Sequence, residues 1–441
     1  MDMKRFFRVL SLMVALIIIL GTTFSALAIS FDYSEPLESE TVLLVNMDTG
    51  IPVLEKNADE VRFPASLTKI MTYIVAYENI EDVYNTRVEI RQEVLNPLLG
   101  TGSSMSGLDY KVGESVTVID LLYCMMVNSG NDAALVLADY VGKGDTDKFV
   151  EMMNKKAKEL GCENTHFVNP HGLHDADHYS TARDLYKITT YALALPLFAE
   201  ITNTATYYCE GDDYPLVTTN YMIDVNRGGD YYYTYAKGVK TGTTDEAGRC
   251  LITTGIADGY AYMCICMGAP YENSDHNGAM TDAKGLLRWA LTQLELARTL
   301  VTETPGCEVN VNFSNDTDSI LLYPIENVYS ILPKERNEED VKLVCDAPES
   351  VDAPVKKGDV IGSVTVYYKD DALKTVDLVA GEDVEKSDIT YTVHVFKSVL
   401  NSWQFWIAVG IAVVLLIIYI ALISHIRTKN KRRRVKKYRR M

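Results

Sequence analysis

The sequence predicts an α/β chain of the α+β kind: an antiparallel sheet packed on helices, then a small all-β domain and one transmembrane helix. Three observations carry this. Strand-like runs at both ends of residues 29–303 enclose a helical middle, short alternating strands replace that texture after Pro305, and residues 403–424 hold no charge.

At the N-terminus, Met1-Asp2-Met3-Lys4-Arg5 and Arg8 lead into an apolar run at 9–20 and then Ala26-Leu27-Ala28. Charged, apolar and small residues in that order mark a secretory signal peptide, residues 1–28, and the apolar run is short for a spanning helix. At the other end, 403–424 is long enough to cross a bilayer once, since about 20 apolar residues suffice. Ten Lys and Arg residues follow at 425–441, and positive flanks stay in the cytoplasm. Residues 29–402 are therefore expected outside the cell, with 396–402 as a juxtamembrane linker. In that place the basic run orients the helix and meets anionic lipid.

Without its two ends the chain keeps 29 basic against 59 acidic residues, about 30 charges negative. That balance argues against a nucleic-acid partner. The eight cysteines, at 124, 162, 209, 250, 264, 266, 307 and 345, include no CxxC pair and no zinc spacing, so they read as mostly buried thiols. Cys264 and Cys266 fall on one face of a strand, which is poor spacing for a mutual disulfide; bridges elsewhere stay open.

Along residues 29–303, the runs at 41–46 and 51–54 flank Asp48-Thr49-Gly50 as a hairpin. Helical periodicity follows at 64–79, 118–127, 131–141, 146–160 and 181–195. Strands return at 236–241, 250–254 and 260–267, and a last helix is expected over 279–301. Residues 304–395 form the β-rich domain, with strands near 309–312, 319–322, 363–368 and 374–378.

Chemistry concentrates in three places. Phe63-Pro64-Ala65-Ser66-Leu67-Thr68-Lys69 sets a proline at a helix start, with Ser66 in the first turn and Lys69 three residues on, on the same face. A serine hydroxyl becomes a nucleophile when a neighbouring base takes its proton, and a lysine serves if burial or nearby positive charge lowers its pKa. Ser129-Gly130-Asn131 sits on a tight turn between two helices, projecting a hydroxyl and an amide together. Lys240-Thr241-Gly242-Thr243 ends a strand, where glycine leaves room for a substrate along the strand edge. Any one of these patterns also fits an ordinary cap or turn.

Together and in this order they resemble the Ser-x-x-Lys, Ser-x-Asn and Lys-Thr-Gly set of penicillin-binding enzymes and serine β-lactamases. The surrounding stretches at 63–72, 128–134, 169–173 and 240–248 resemble the low-molecular-weight D-alanyl-D-alanine carboxypeptidases, over about residues 38 to 300 and more loosely through Gly358, Asp359 and Gly362. The resemblance implies a penicillin-binding, transpeptidase-like fold and a serine carboxypeptidase that trims the terminal D-alanine from peptidoglycan stem peptides, with β-lactams as covalent inhibitors and no cofactor. Residue by residue, it makes Ser66 the nucleophile, Lys69 its base, and Ser129 a proton relay. Asn131 would hold the acyl side's amide and order the lysine, and Lys240 would add positive potential. Thr241 or Thr243 would bind the terminal carboxylate beside Gly242, and the backbone N–H groups of Ser66 and Thr243 would form the oxyanion hole.

One departure concerns the carboxylate. Thr218-Thr219-Asn220-Tyr221-Met222 only loosely matches an arginine-containing stretch of the family, and Arg249 reads as a structural arginine on a strand. His166, His171, His174 and His178 crowd one loop but match no zinc spacing, so no metal is expected, and Asp175 and Asp177 read as loop residues. Two rival functions use the same fold. A β-lactamase needs a positioned glutamate to hydrolyse its acyl-enzyme, and no Glu-x-x-Leu-Asn segment lies between Asn131 and Lys240; an idle wall-binding protein would have lost a motif residue, and none is lost.

Overall fold

The structure, a computed structural model, describes residues 31, 33–271 and 276–438, so the expected signal peptide lies outside the described residues. The chain forms two compact units. The first extends to Ala297 and takes in Ile331–Arg336; the second holds Arg298–Ser330 and the chain from Asn337 onward.

In the first unit, β1 (Thr41–Asn46) and β2 (Pro52–Lys56) form the expected hairpin. Asn46 closes it: its backbone carbonyl accepts from Gly50 N at 2.8 Å and its side-chain oxygen from Thr49 N at 3.0 Å. After a run of helices come β3 (Ala236–Thr244), β4 (Gly248–Ala257) and β5 (Tyr260–Ala269). The sheet order is β2-β1-β5-β4-β3, antiparallel throughout, which leaves β3 outermost.

Helix α1 (Lys69–Asn79) runs through the middle of the helical layer. Its first eight residues are all buried, as expected for a helix apolar on every side. Around it pack α2 (Val118–Met126), α3 (Asn131–Gly142), α4 (Thr146–Glu159) and α5 (Ala182–Leu193). Ile70, Ile74, Leu122, Leu137 and Phe149 share one core with Leu43, Ile252 and Ile265 of the sheet. Helix α6 (Gly278–Gln293) packs against β4 and β5. It stops eight residues before the 301 expected from sequence, because 294–300 leave the helical path as a strand, β6 (Leu294–Leu300), paired with a later strand at Val328–Pro333. Pairing outweighs the helical preference of Leu-Glu-Leu-Ala-Arg.

The second unit is built on a six-stranded sheet. It contains the four expected strands, extended to Cys307–Asn312, Ser319–Pro324, Val360–Tyr368 and Asp371–Ala380, and adds Val341–Asp346 and Ser350–Asp352. Val341–Asp346 is a largely exposed end strand and so lacks the alternation that betrays a half-buried one. Cys307 and Cys345 form a disulfide, with Cα atoms 6.3 Å apart, while the other six cysteines are buried thiols. The core is aliphatic, with Val309, Ile320, Leu322, Val364, Val366 and Leu378 at its centre. Residues 396–402, expected as a linker, instead finish a helix at Asp388–Asn401 that precedes a long helix at Trp403–Tyr438. The exposed apolar residues of Asp388–Asn401 recur at helical spacing, so the segment supports a helix where no core dictates one. The long helix is the one among the described residues that is long and apolar enough to cross a membrane.

Candidate active site

Pro64 caps a 3₁₀ turn, Ala65–Thr68, that feeds directly into α1. Side chains at i and i+3 eclipse on a 3₁₀ turn, so Ser66 and Lys69 meet, with Lys69 Nζ 2.8 Å from Ser66 Oγ. The turn is held from two sides. Gly172, at φ +86°, lies so close that a Cβ there would fall 1.9 Å from the Ala65 carbonyl oxygen. Gly242 of β3 also abuts it, since a Cβ there would sit 2.9 Å from Pro64 O and 3.1 Å from Ser66 N. The lack of a side chain at Gly242 thus lets the strand approach the Pro64–Ser66 backbone.

Lys69 is fully buried and has two further partners, Asn131 Oδ1 at 2.5 Å and the His171 carbonyl at 2.8 Å. Burial, and then the nearby Lys240, hold its pKa well below the ordinary lysine value, against a smaller upward pull from Asp132. An uncharged amine in this place would turn a lone pair toward Ser66 Oγ while its two N–H bonds point at Asn131 and His171. The His171 carbonyl had no signal in the sequence, because any residue could supply it.

The second motif stands on the turn between α2 and α3, where Ser129 adopts φ +60°. Asp132, buried one residue past the motif, fixes the loop alongside. Its carboxylate accepts from Ser106 N and Ser106 Oγ at 2.8 and 2.7 Å and from Leu108 N at 3.2 Å, while Asn131 N donates to Ser104 O at 2.8 Å. Lys240 reaches across from β3 to donate to Ser129 Oγ at 2.9 Å, and burial alone pushes its pKa down to about 7. The structure therefore brings together Ser66, Lys69, Ser129, Asn131 and Lys240, with Thr241, Gly242 and Thr243 continuing along the outer strand.

Behind the turn, the crowded histidines have fixed places. Val168 N donates to His178 Nδ1 at 3.1 Å, so Nε2 carries the proton and donates to Thr68 Oγ1 at 2.7 Å, which in turn donates to Ala65 O at 2.8 Å. Burial lowers His178 to about 4 and, with Lys69 nearby, His171 to about 3.

A cavity of about 340 Å³ opens in front of Ser66. Ser104, Asn128 and Ser129 line one side, and Thr219, Tyr221, Arg227, Thr241, Thr243, Arg249 and Asn277 line the other. Arg249, read from the sequence as structural, thus borders the catalytic space. The register of β4 explains it, since Arg249 stands directly opposite Thr243 and opposed residues share a face. Arg227 and Asn277 come from loops with no motif of their own.

Residues 30–271 match the D-alanyl-D-alanine carboxypeptidase family, peptidase S11, and residues 308–386 match the C-terminal domain of penicillin-binding protein 5. The chain belongs to the D-alanyl-D-alanine carboxypeptidase family. It is a serine-type carboxypeptidase, and acylation of a serine and penicillin binding are general among its members. Relatives include the D-alanyl-D-alanine carboxypeptidase DacF of Bacillus subtilis, 29% identical over 83% of this chain and 90% of that protein. The E. coli DacD is 30% identical over 83% of this chain and 92% of its own. Among solved structures, the D-alanyl-D-alanine carboxypeptidase DacD of Francisella tularensis matches with a TM-score of 0.66 at 26% identity, covering 81% of this chain and 96% of that one. Penicillin-binding protein 5 of Haemophilus influenzae matches with a TM-score of 0.60 at 27% identity, over 81% and 100%.

Proposed function

We propose that this family member removes the terminal D-alanine from peptidoglycan stem pentapeptides, at the outer face of the membrane, through an acyl-enzyme on Ser66. The observation that carries the reading is the buried Lys69, set 2.8 Å from Ser66 Oγ with its other donors already committed. The stem peptide lies along the open edge of β3 as an added strand. Lys69 takes the Ser66 proton as Oγ bonds to the carbonyl carbon of the penultimate D-alanine. The backbone N–H groups of Ser66 and Thr243 receive the oxyanion; loss of one such donor costs ~10²–10³ in rate. The C–N bond to the last D-alanine then breaks, and the leaving nitrogen takes a proton through Ser129, which Lys240 orients. Water adds to the acyl carbon, its proton returns to Ser66 Oγ, and the shortened peptide leaves as a carboxylate.

The apolar stretch at 403–424 supports a membrane anchor, and the basic residues at 425–441 support a cytoplasmic C-terminus. The leader expected at 1–28 supports the same reading, with the catalytic unit beside unfinished wall, where β-lactams also reach it. The test uses the full chain in detergent with a diacetyl-lysyl-D-alanyl-D-alanine substrate and a labelled penicillin. D-Alanine release and covalent labelling are expected, and both vanish in Ser66→Ala. Release at the wild-type rate by that variant, or rapid repeated turnover of penicillin, overturns the reading.

A further inference from the structure

The loop that carries the four histidines, 166–180, grips the nucleophile turn in three places. The His171 carbonyl accepts from Lys69 Nζ, and Gly172 lies against the Ala65 carbonyl. The third grip belongs to His178, which is almost fully buried and whose Nε2 donates to Thr68 Oγ1 at 2.7 Å. The loop is itself fixed on both sides of that histidine. Val168 N donates to His178 Nδ1 at 3.1 Å, Ser180 N donates to Arg62 O at 2.9 Å, and Arg62 N donates to Ser180 O at 2.8 Å.

This third grip ends on a strained residue. Ala65 has φ +47°, in the left-handed region that a residue with a Cβ rarely enters, and such a conformation persists where its surroundings hold it. The Thr68 hydroxyl, donating to Ala65 O at 2.8 Å, is one of the contacts that do so. A hydroxyl has a single proton, so each bond in the chain sets the next. Val168 N–H occupies the acceptor Nδ1, His178 Nε2–H occupies a lone pair of Thr68 Oγ1, and the hydroxyl proton is left for Ala65 O.

Ala65 O and Ser66 N belong to one peptide unit. That unit is planar, and in the trans form its C=O and N–H point in opposite directions, so fixing the carbonyl fixes the N–H. Gly242 of β3 closes on the same unit, where a Cβ would come within 3.1 Å of Ser66 N.

We propose that His178, acting through the Thr68 hydroxyl, is a positioning residue that sets the plane of the Ala65–Ser66 peptide and so aims the Ser66 N–H at the developing oxyanion. This rests on the carboxypeptidase reading, in which that N–H is one of two oxyanion donors. His178 has no part in the proton transfers. Removing such a donor outright costs ~10²–10³ in rate. Letting it tilt should lower kcat by roughly 10- to 100-fold and leave KM nearly unchanged, since the oxyanion forms only in the transition state.

The experiment uses the full chain in detergent with diacetyl-lysyl-D-alanyl-D-lactate and its thiono analogue, in which sulfur replaces the oxygen of the scissile carbonyl. Sulfur is a larger and weaker acceptor, so a well-aimed donor pair favours the oxygen substrate and a poorly aimed one discriminates less. Thr68→Val and His178→Leu should each lower the oxygen-to-sulfur ratio of kcat/KM at least tenfold. Thr68→Ser, which keeps the hydroxyl, should recover most of that ratio, and His178→Gln part of it, because an amide can both donate and accept. A loss of folded protein lowers both rates equally and leaves the ratio alone, so a poorly folding variant still reports. A wild-type ratio in either Thr68→Val or His178→Leu overturns the proposal. A wild type that releases neither D-lactate from these esters nor D-alanine from the peptide defeats the carboxypeptidase reading instead, so the two failures are distinct.

Discussion

The two units of the molecule treat polar side chains in opposite ways. Among the described residues, every buried charged side chain lies in the first unit: Lys69, Lys240, Asp120, Asp132, Asp184, Asp224 and Asp282. The buried polar residues of the second are two serines, Ser330 and Ser387. Burying an ion is costly unless it is partnered, and a domain that only needs to fold does well with the aliphatic core found in the second unit. The first unit buries two lysines, and burial lowers the pKa of both, which favours the uncharged amine that the proposed mechanism needs at Lys69. The contrast separates a scaffold from a reagent.

The strongest way to break this comparison is Lys69→Ala. If the buried amine is the base, penicillin labelling of Ser66 should fall by ~10³-fold or more, in line with the loss of a general base. The same variant should be no less stable than wild type, since it removes a desolvated amine. Labelling within tenfold of wild type would make the buried lysine structural.

A sharper measurement uses Lys240, whose pKa of about 7 in the folded chain lies below the ordinary lysine value of 10.5. Between those two pH values the unfolded chain holds a proton that the folded chain lacks. This group's contribution to stability therefore rises with pH across that window, by about 1.4 kcal/mol per unit at most. Lys240→Met should remove that slope, and activity should fall at least ~10²-fold. Urea midpoints between pH 7 and 9, read by alkylation of the six free cysteines, report on the first unit alone because all six lie in it. Parallel pH profiles for wild type and variant would sink the idea.

The smallest effect on activity is expected from the second unit. Replacing Cys307 and Cys345 with serine opens a loop with a sequence separation of 38, which should destabilise that unit by ~3–4 kcal/mol. D-Alanine release should stay unchanged, and limited proteolysis within 307–345 should quicken. A matching loss of activity would mean that the division of labour between the units is wrong.

Much of the candidate site was legible in the sequence, because side-chain type and spacing single out Ser66, Lys69, Ser129, Asn131 and Lys240, which the fold brings together. What escaped depended on register or backbone. The His171 carbonyl carries no residue identity, and Arg249 lines the cavity because β4 places it opposite Thr243. The elements followed the same rule. The helices around α1 were readable from their periodicity, whereas Leu294–Leu300 depends on a partner strand about thirty residues away.

That partner strand bears on how the protein can be taken apart. Ile331 and Leu332 are almost completely buried, Lys334 N donates to Gln293 O at 2.8 Å, and Arg336 Nη1 reaches Glu295 Oε1 at 2.7 Å, all within the first unit. The catalytic unit is consequently not a contiguous stretch of sequence. A stop codon at 304 would look like a clean domain boundary in the text of the gene, but it would remove Ile331–Arg336 and leave the end of α6 and the first half of β6 without the segment that covers them.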